Sequence, residues 1–270
     1  MRINLYYFSG TGNSAWVAHH LAERLIELGD EVMAASCEQT PASAVDPADC
    51  DVMGIAFPVH ASFAPSIFRG FLRDLPPSDG RRLFAISTAG FAAGDTAWHA
   101  VKPLRAKGYR PFLMSNVMMA NNLRLPLLSP LPIPSPEEMP QRLEQAGQRI
   151  ERLADLIHRR EPTVEGAGLL GRALGIVQRA SVGPFESLAF KGFTADETCT
   201  RCGWCIQHCP VGNITMSDDR VLFGDDCILC MRCYSFCAHQ AIQMTQKTMD
   251  AETYPRYQGP EGKPYHPGSA

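Results

Sequence analysis

The chain has 270 residues, of which 45% are hydrophobic and 20% charged, with a formal net charge of −3 at pH 7. That length exceeds one small domain and suits two, and the mild acidity argues against nucleic acid as a partner. No apolar run reaches the length of a membrane span and Met1-Arg2 leads straight into a strand, so the cytoplasm is the expected location.

Residues 3–8 form a continuous apolar strand. It runs into Ser9-Gly10-Thr11-Gly12-Asn13-Ser14 and then a helix with Val17, Leu21, Leu25 and Leu28 on one face. A strand, a glycine and hydroxyl loop and a helix N-terminus together make an anion site, because free N–H groups and short hydroxyls can surround a phosphate. The loop lacks the lysine of a nucleoside-triphosphate loop and the Gly-x-Gly-x-x-Gly of a dinucleotide site. Neutral donors alone point to a monophosphate cofactor. Strands follow near 31–36, 51–57, 82–88 and 111–119, with helices near 64–74 and 95–107. This alternation predicts an α/β fold with a doubly wound parallel sheet whose ligand lies at the C-terminal strand edge. Two loops should flank that ligand: Pro58-Val59-His60-Ala61-Ser62, and Thr88-Ala89-Gly90-Phe91-Ala92-Ala93-Gly94-Asp95.

With its Ser/Thr-x-Thr-Gly-Asn-Ser/Thr loop on the first strand and helix, the segment 1–160 resembles a flavodoxin. The resemblance implies a five-stranded sheet in the order 2-1-3-4-5 and FMN as cofactor. It implies that Ser9, Thr11, Asn13 and Ser14, with Gly10 and Gly12 between them, hold the phosphate. Pro58, Val59, His60 and Ala61 on one loop, and Thr88, Ala89, Gly90, Phe91, Gly94 and Asp95 on the other, would enclose the isoalloxazine ring. The Trp and Tyr that sandwich the ring in typical flavodoxins are missing, which leaves His60, Phe63 and Phe91 as the nearest aromatic candidates. A loop histidine is as readily a packing residue, and Trp16, one turn into the helix, reads as core.

Beyond Asn121-Asn122, the prolines at 126, 130, 132, 134, 136 and 140 exclude regular helix or central strand before residue 136. The stretch is either a stiff surface connection or a lid over the flavin edge. Met139, Leu143, Ala146, Ile150, Leu153 and Ile157 then recur at helical spacing, which predicts an amphipathic helix as the last cover of the sheet. Residues 161–195 carry a weaker stripe of Leu169, Leu170, Ala173, Leu174 and Val177. They are expected as a linker helix packing one domain on the other, with a membrane-surface or partner-binding helix as the alternative.

Two cysteine runs follow at one spacing: Cys199-x2-Cys202-x2-Cys205-x3-Cys209-Pro210 and Cys227-x2-Cys230-x2-Cys233-x3-Cys237-Ala238, eight of the ten cysteines. Three thiolates three residues apart can wrap one corner of an iron–sulfur cube. Zinc is the competing reading, since paired Cys-x2-Cys units build zinc ribbons, although zinc has no use for the third cysteine of each run. Disulfides do not suit a cytosolic chain. Cys37 and Cys50 fall outside the pattern and read as small buried apolar residues. The segment 196–250, with Asn213-Ile214-Thr215 and Ala241-Ile242-Gln243 after the two loops, resembles a bacterial two-cluster ferredoxin, a small α+β fold. That resemblance implies crossed ligation: Cys199, Cys202, Cys205 and Cys237 on one [4Fe–4S] cluster, Cys227, Cys230, Cys233 and Cys209 on the other. Ala238 departs from the family's proline and leaves one cluster's potential open to a shift. The module holds five basic and eight acidic side chains over 196–256, an acidic surface that is either plain solvated protein or a face for a basic redox partner. The tail, 251–270, is rich in Pro, Gly and Tyr and either wraps back or stays disordered.

Taken whole, the chain resembles the fused flavodoxin–ferredoxin proteins, a group of iron–sulfur flavoproteins. The implied function is electron transfer between two clusters, FMN and a protein redox partner. A second reading is a reductase whose flavin acts on a small molecule, with Asp95 and His60 as its nearby titratable groups. A third is a scaffold without flavin. No fingerprint for a nicotinamide cofactor is present.

Overall fold

The structure, a computed structural model, describes residues 1–124, 133–189 and 192–267. Its N-terminal part is a parallel sheet built from β1 (Arg2–Tyr7), β2 (Glu31–Ser36), β3 (Val52–Pro58), β4 (Arg82–Ala89), β5 (Arg110–Met118) and β6 (Thr163–Val164), in the order β2-β1-β3-β4-β5-β6. The inner strands are apolar almost without interruption because helices cover both faces, and β3 is buried at six successive positions. On one face α1 (Asn13–Glu27) and α5 (Met139–His158) bury Val17, Leu21, Leu25, Ile150, Leu153 and Ile157 against Ile3, Leu5 and Ile86. On the other, α2 (Ser66–Asp74), α3 (Thr96–Ala100) and α4 (Lys102–Ala106) cover Tyr6, Phe8, Ile55 and Phe57 with Phe68, Phe71 and Leu104. Gly54 lets the Phe84 ring cross between strands, since a Cβ there would stand 2.2 Å from it.

Three expectations are corrected. The sheet has six strands, not five: Thr163 and Val164 pair with Leu113 and Met114, and a two-residue strand leaves no periodicity to read. The helix expected at 95–107 is two helices meeting at Val101, with Pro103 in the first turn of the second, where a proline has no amide to lose. The linker helix exists as α6 (Leu169–Ala189), but the stripe expected to pack is turned outward, with Leu169 90%, Leu170 85% and Val177 68% exposed. Its contact with the sheet loops is polar instead. Arg179 pairs with the buried Asp95 carboxylate at 2.5 and 3.1 Å, and the Ser62 hydroxyl donates to Gln178. Of the proline-rich stretch 126–140, expected as a surface connection or a lid, residues 126–132 lie outside the described residues.

The cysteine-rich part joins β7 (Thr194–Ala195) antiparallel to β10 (Ile242–Gln243), with a hairpin of β8 (Ile214–Ser217) and β9 (Arg220–Phe223). Short helices α7 (Trp204–Gln207) and α8 (Arg232–Phe236) follow the second cysteine of each run. The duplication extends to the backbone. Arg201 and Leu229, each just before a second cysteine, have φ of 58° and 52°; Gly203 and Met231, just after it, have 76° and 63°. Gly212 and Gln240, three residues past each fourth cysteine, repeat the left-handed conformation at 64° and 50°. Held positive φ at Leu229, Met231 and Gln240 costs of order 1 kcal/mol each and persists only where the surroundings impose it. The turn after each fourth cysteine closes alike, by Gly212 N–H to Cys209 O and Gln240 N–H to Cys237 O, so Ala238 in place of proline leaves it unchanged.

The tail wraps back. Arg256 stacks 3.4 Å over the Tyr234 ring and donates to its carbonyl. Tyr257 reaches Asn13, and Pro260 and Tyr265 lie against Gly12. The chain's end thus returns to the first loop of its beginning.

Candidate functional site

A cleft of about 420 Å³ opens at the C-terminal edge of the sheet. Its floor is the loop between β1 and α1, and Ser9, Gly10, Thr11, Asn13 and Ser14 line it. Gly12 is absent from the lining because it faces Pro260 and caps α1 at φ 101°. Ser9 Oγ accepts from Gly12 N–H at 3.1 Å, Ser14 and Thr88 share a hydrogen bond of 2.6 Å, and Asn122 Nδ2 donates to Thr11 Oγ1 at 2.6 Å. The Asn13 amide group is committed to protein: Nδ2 donates to Ala120 O and Oδ1 accepts from the Tyr257 hydroxyl.

Most backbone amides of this loop are left over. Those of Ser9, Gly10, Thr11, Asn13 and Ser14 donate to no described residue, although all five residues are buried. Buried N–H groups without a partner are rare in folded proteins and call for an acceptor. Beside the start of a 15-residue helix, the acceptor that fits is an anion. Among the described lining residues none is Asp, Glu, Lys or Arg, so neutral donors alone would meet it.

The two loops expected to flank the ligand contribute Pro58, Val59, His60 and Ala61, then Thr88, Ala89, Gly90, Phe91 and Ala92. Val59 N–H donates to Thr88 O, and His60 and Phe63 exchange backbone hydrogen bonds across a turn whose central residues, Ala61 and Ser62, have φ of 46° and 61°. Burial, helped by the Arg69 charge, pushes the His60 imidazole down to about 4, so it is neutral at ordinary pH. Phe91 stands at the rim, 74% exposed. Phe63 lies outside, packed on His99 and beneath the guanidinium of Arg69. Gly94 and Asp95 also lie outside the cleft, Asp95 because Arg179 holds it. Trp16 stacks on His20 against the core, as expected.

Sequence reasoning missed two walls. The end of β5 and the chain after it bring Met119, Ala120, Asn121, Asn122 and Leu123; the backbone of Asn121 is so close that a Cβ on Gly90 would lie 2.7 Å from it. The other wall is Ile228, Leu229 and Cys230, from the second cysteine run. Gly10 meets the Cys230 carbonyl directly, and a Cβ there would fall 2.3 Å from that oxygen.

Next to this wall a smaller cavity is lined by Cys209, Cys227, Cys230 and Cys233, with Phe193, Ile214 and Phe223 as apolar surroundings. Asn213 N–H and Leu229 N–H point at the sulfurs of Cys209 and Cys227, at 3.3 and 3.5 Å. Burial pushes the Cys230 thiol up to about 12, against the pull of Arg232, and raises Cys233 well above its ordinary value, with Cys227 and Cys209 adding repulsion to both. Cys205 is pushed up to about 11 by burial first and then, against an amide bond from Ile206, by Cys237, Cys199 and Cys202. Cys209 thus neighbours the second run, and Cys237 the first. Among the described residues no three Cys, His, Asp or Glu side chains converge tightly enough for a single metal ion. Cys50 is buried and Cys37 half-buried, its thiol pushed up to about 12 by burial, so both are inert.

Residues 196–215 match the family of 4Fe-4S binding domains. Among solved structures the chain is similar to a flavodoxin of Streptococcus pneumoniae TIGR4, at 18% identity over 57% of this chain and 99% of that one, with a TM-score of 0.41. It is similar to the two-electron reduced flavodoxin of Megasphaera elsdenii, at 19% identity over 56% and 98%, with a TM-score of 0.39. It is also similar to rubredoxin oxygen:oxidoreductase from the anaerobe Desulfovibrio gigas, at 16% identity over 67% and 37%, with a TM-score of 0.41. At such levels the likeness says nothing of cofactor or activity. No curated protein sequence matches the chain. The 2-1-3-4-5 order of the first five strands is itself flavodoxin-like. The protein therefore joins an α/β unit with a flavodoxin-like strand order to a segment that matches 4Fe-4S binding domains. No helix among the described residues is long and apolar enough to cross a membrane.

Proposed function

We propose that this protein is an electron-transfer iron–sulfur flavoprotein with two [4Fe–4S] clusters and FMN, exchanging electrons with a protein redox partner. The observation that carries the reading is the shared wall: Cys230 lines the flavin-type cleft on one side and the four-cysteine cavity on the other. FMN takes up one or two electrons and a cluster one at a time, so the pair can join single-electron to two-electron chemistry. Ser9, Gly10, Thr11 and Ser14 would hold the phosphate, with the Gly10 and Thr11 amides as donors, and Asn13 would keep the loop in shape. His60, Pro58, Val59, Thr88, Gly90 and Phe91 would border the ring, excluding water and offering no charge.

For the clusters, the ligand sets are Cys199, Cys202, Cys205 and Cys237, and Cys209, Cys227, Cys230 and Cys233. A second cluster is supported by the repeated left-handed backbone, which gives both runs one loop shape. In this reading residues 1–160 are the flavin unit, 161–195 the connection and 196–250 the cluster unit. A flavin reductase of small molecules finds less support, because Asp95 is engaged by Arg179 and His60 is held neutral.

Anaerobic purification tests the reading. Flavin bands over a broad brown absorbance are expected, with the iron and sulfide content of two cubes. Redox titration should then resolve three centres that equilibrate with one another. A colourless, zinc-containing protein would overturn the cluster assignment, and clusters that never equilibrate with the flavin would overturn the relay.

A further inference from the structure

Arg232 sits between the third and second cysteines of the second run and is the largest fully buried side chain described, 1% exposed. All five of its N–H donors are used. Nε donates to Gly10 O at 3.1 Å and Nη2 to Ser9 O at 2.8 Å; Nη1 donates to His208 O at 2.9 Å; Nη1 and Nη2 grip Glu38 at 2.9 and 2.7 Å. One guanidinium thus joins the first loop of the flavin unit, the end of β2 and both cysteine runs.

The two carbonyls it holds are the informative ones. A trans peptide is planar, with C=O and N–H on opposite sides. The Ser9 carbonyl shares its plane with the Gly10 amide, and the Gly10 carbonyl with the Thr11 amide. Fixing both oxygens toward Arg232 therefore fixes both amides away from it, and both are among the loop amides that donate to no described residue.

We propose that Arg232 is a positioning residue for the phosphate site: from inside the cluster loop it aims the Gly10 and Thr11 amides into the cleft, so tight FMN binding requires the folded cluster unit. This rests on the flavin reading above. Glu38 holds the guanidinium in place, and the missing Cβ of Gly10 lets the two loops meet. Lysine cannot substitute, because a single ammonium does not span two carbonyls, a carboxylate and His208 O.

The test compares FMN with riboflavin, which has the ring but no phosphate, on cluster-loaded protein, using flavin fluorescence on dilution. Arg232→Lys should weaken FMN by about tenfold or more and leave riboflavin within about twofold of the original protein. Glu38→Ala, remote from the cluster ligands in sequence, should weaken FMN about threefold or more with riboflavin again unchanged. Electron paramagnetic resonance of the reduced protein reports cluster integrity in each. Unchanged FMN affinity in Glu38→Ala overturns the proposal even if Arg232→Lys does not fold, and so does a parallel loss of FMN and riboflavin. Original protein that binds no FMN would instead remove the flavin reading itself.

Discussion

Replacing Tyr257 by Phe removes one oxygen from the tail and strands one at the loop between β1 and α1. The Tyr257 hydroxyl donates to Asn13 Oδ1 at 2.5 Å, and both residues are buried. Burial raises the phenol well above its ordinary value, so it remains a donor at every working pH. Asn13 spends its amide nitrogen on Ala120 O, leaving Oδ1 without a described donor once the hydroxyl has gone. A buried acceptor left without a partner costs about 1–3 kcal/mol. At about 2–4 °C per kcal/mol for chains approaching this size, Tm should fall by roughly 2–12 °C. Tyr234→Phe is the matched comparison. Tyr234 is equally buried, but its hydroxyl has no partner among the described residues, so deleting it should change stability by less than about 0.5 kcal/mol. Thermal unfolding of both variants, prepared anaerobically with clusters loaded, decides the matter. Equal Tm values for the two would refute the view that the tail clamps the loop through Asn13.

Three further outcomes are expected. With crossed ligation, Cys209→Ser and Cys237→Ser should each abolish a different cluster signal in electron paramagnetic resonance, and Cys209→Ser should resemble Cys227→Ser; resemblance to Cys199→Ser instead would show that each run holds its own cluster. His60 is pushed down to about 4 when folded and returns to its ordinary value when unfolded, so the unfolded chain gains the proton first as pH falls. Its contribution to stability is therefore intact above about pH 6.5 and lost progressively toward pH 4, and His60→Asn should flatten the decline of the urea midpoint across that window. If both proteins decline alike, His60 titrates normally. In Gly175→Ala, the new Cβ would stand 1.9 Å from Asp95 Oδ1 and push α6 off the sheet loops. Losing the Arg179 pair on a buried carboxylate should cost roughly 3 kcal/mol, visible as a lower urea midpoint and faster proteolysis near residue 170; a midpoint like the original would mean that α6 is not held there.

Local chemistry was legible in the sequence, and long-range placement was not. Ser9–Ser14 could be placed at the sheet-edge cleft because the pattern that marks the turn, small residues between a strand and a helix, is contiguous. The cysteine runs announced themselves by spacing. The stripe on α6 misled because apolar periodicity shows that a face exists, not which face is covered; Gly175, Gln178 and Arg179, on the polar side, make the contact. The sixth strand was too short to carry a pattern. Asp95 looked available because a carboxylate in a loop after a strand carries no mark of an arginine 84 positions away. Arg232 was unreadable for the same reason: nothing near it in the chain foretells Ser9, Gly10 and Glu38.

The return of the tail to the first loop has a consequence for biosynthesis. Residues 9–14 leave the ribosome early, yet their supports come from Arg232, 222 positions beyond Gly10, and Tyr257, 244 positions beyond Asn13. At about 5–20 residues per second, the loop waits roughly 12–50 s for the last of them. The sheet can form meanwhile from its own strands, but the nucleotide-type pocket stays unfinished until the iron-binding segment and the tail have emerged. Completion of this cleft is therefore a late event in maturation, after synthesis of the cysteine-rich segment rather than alongside the first strand and helix.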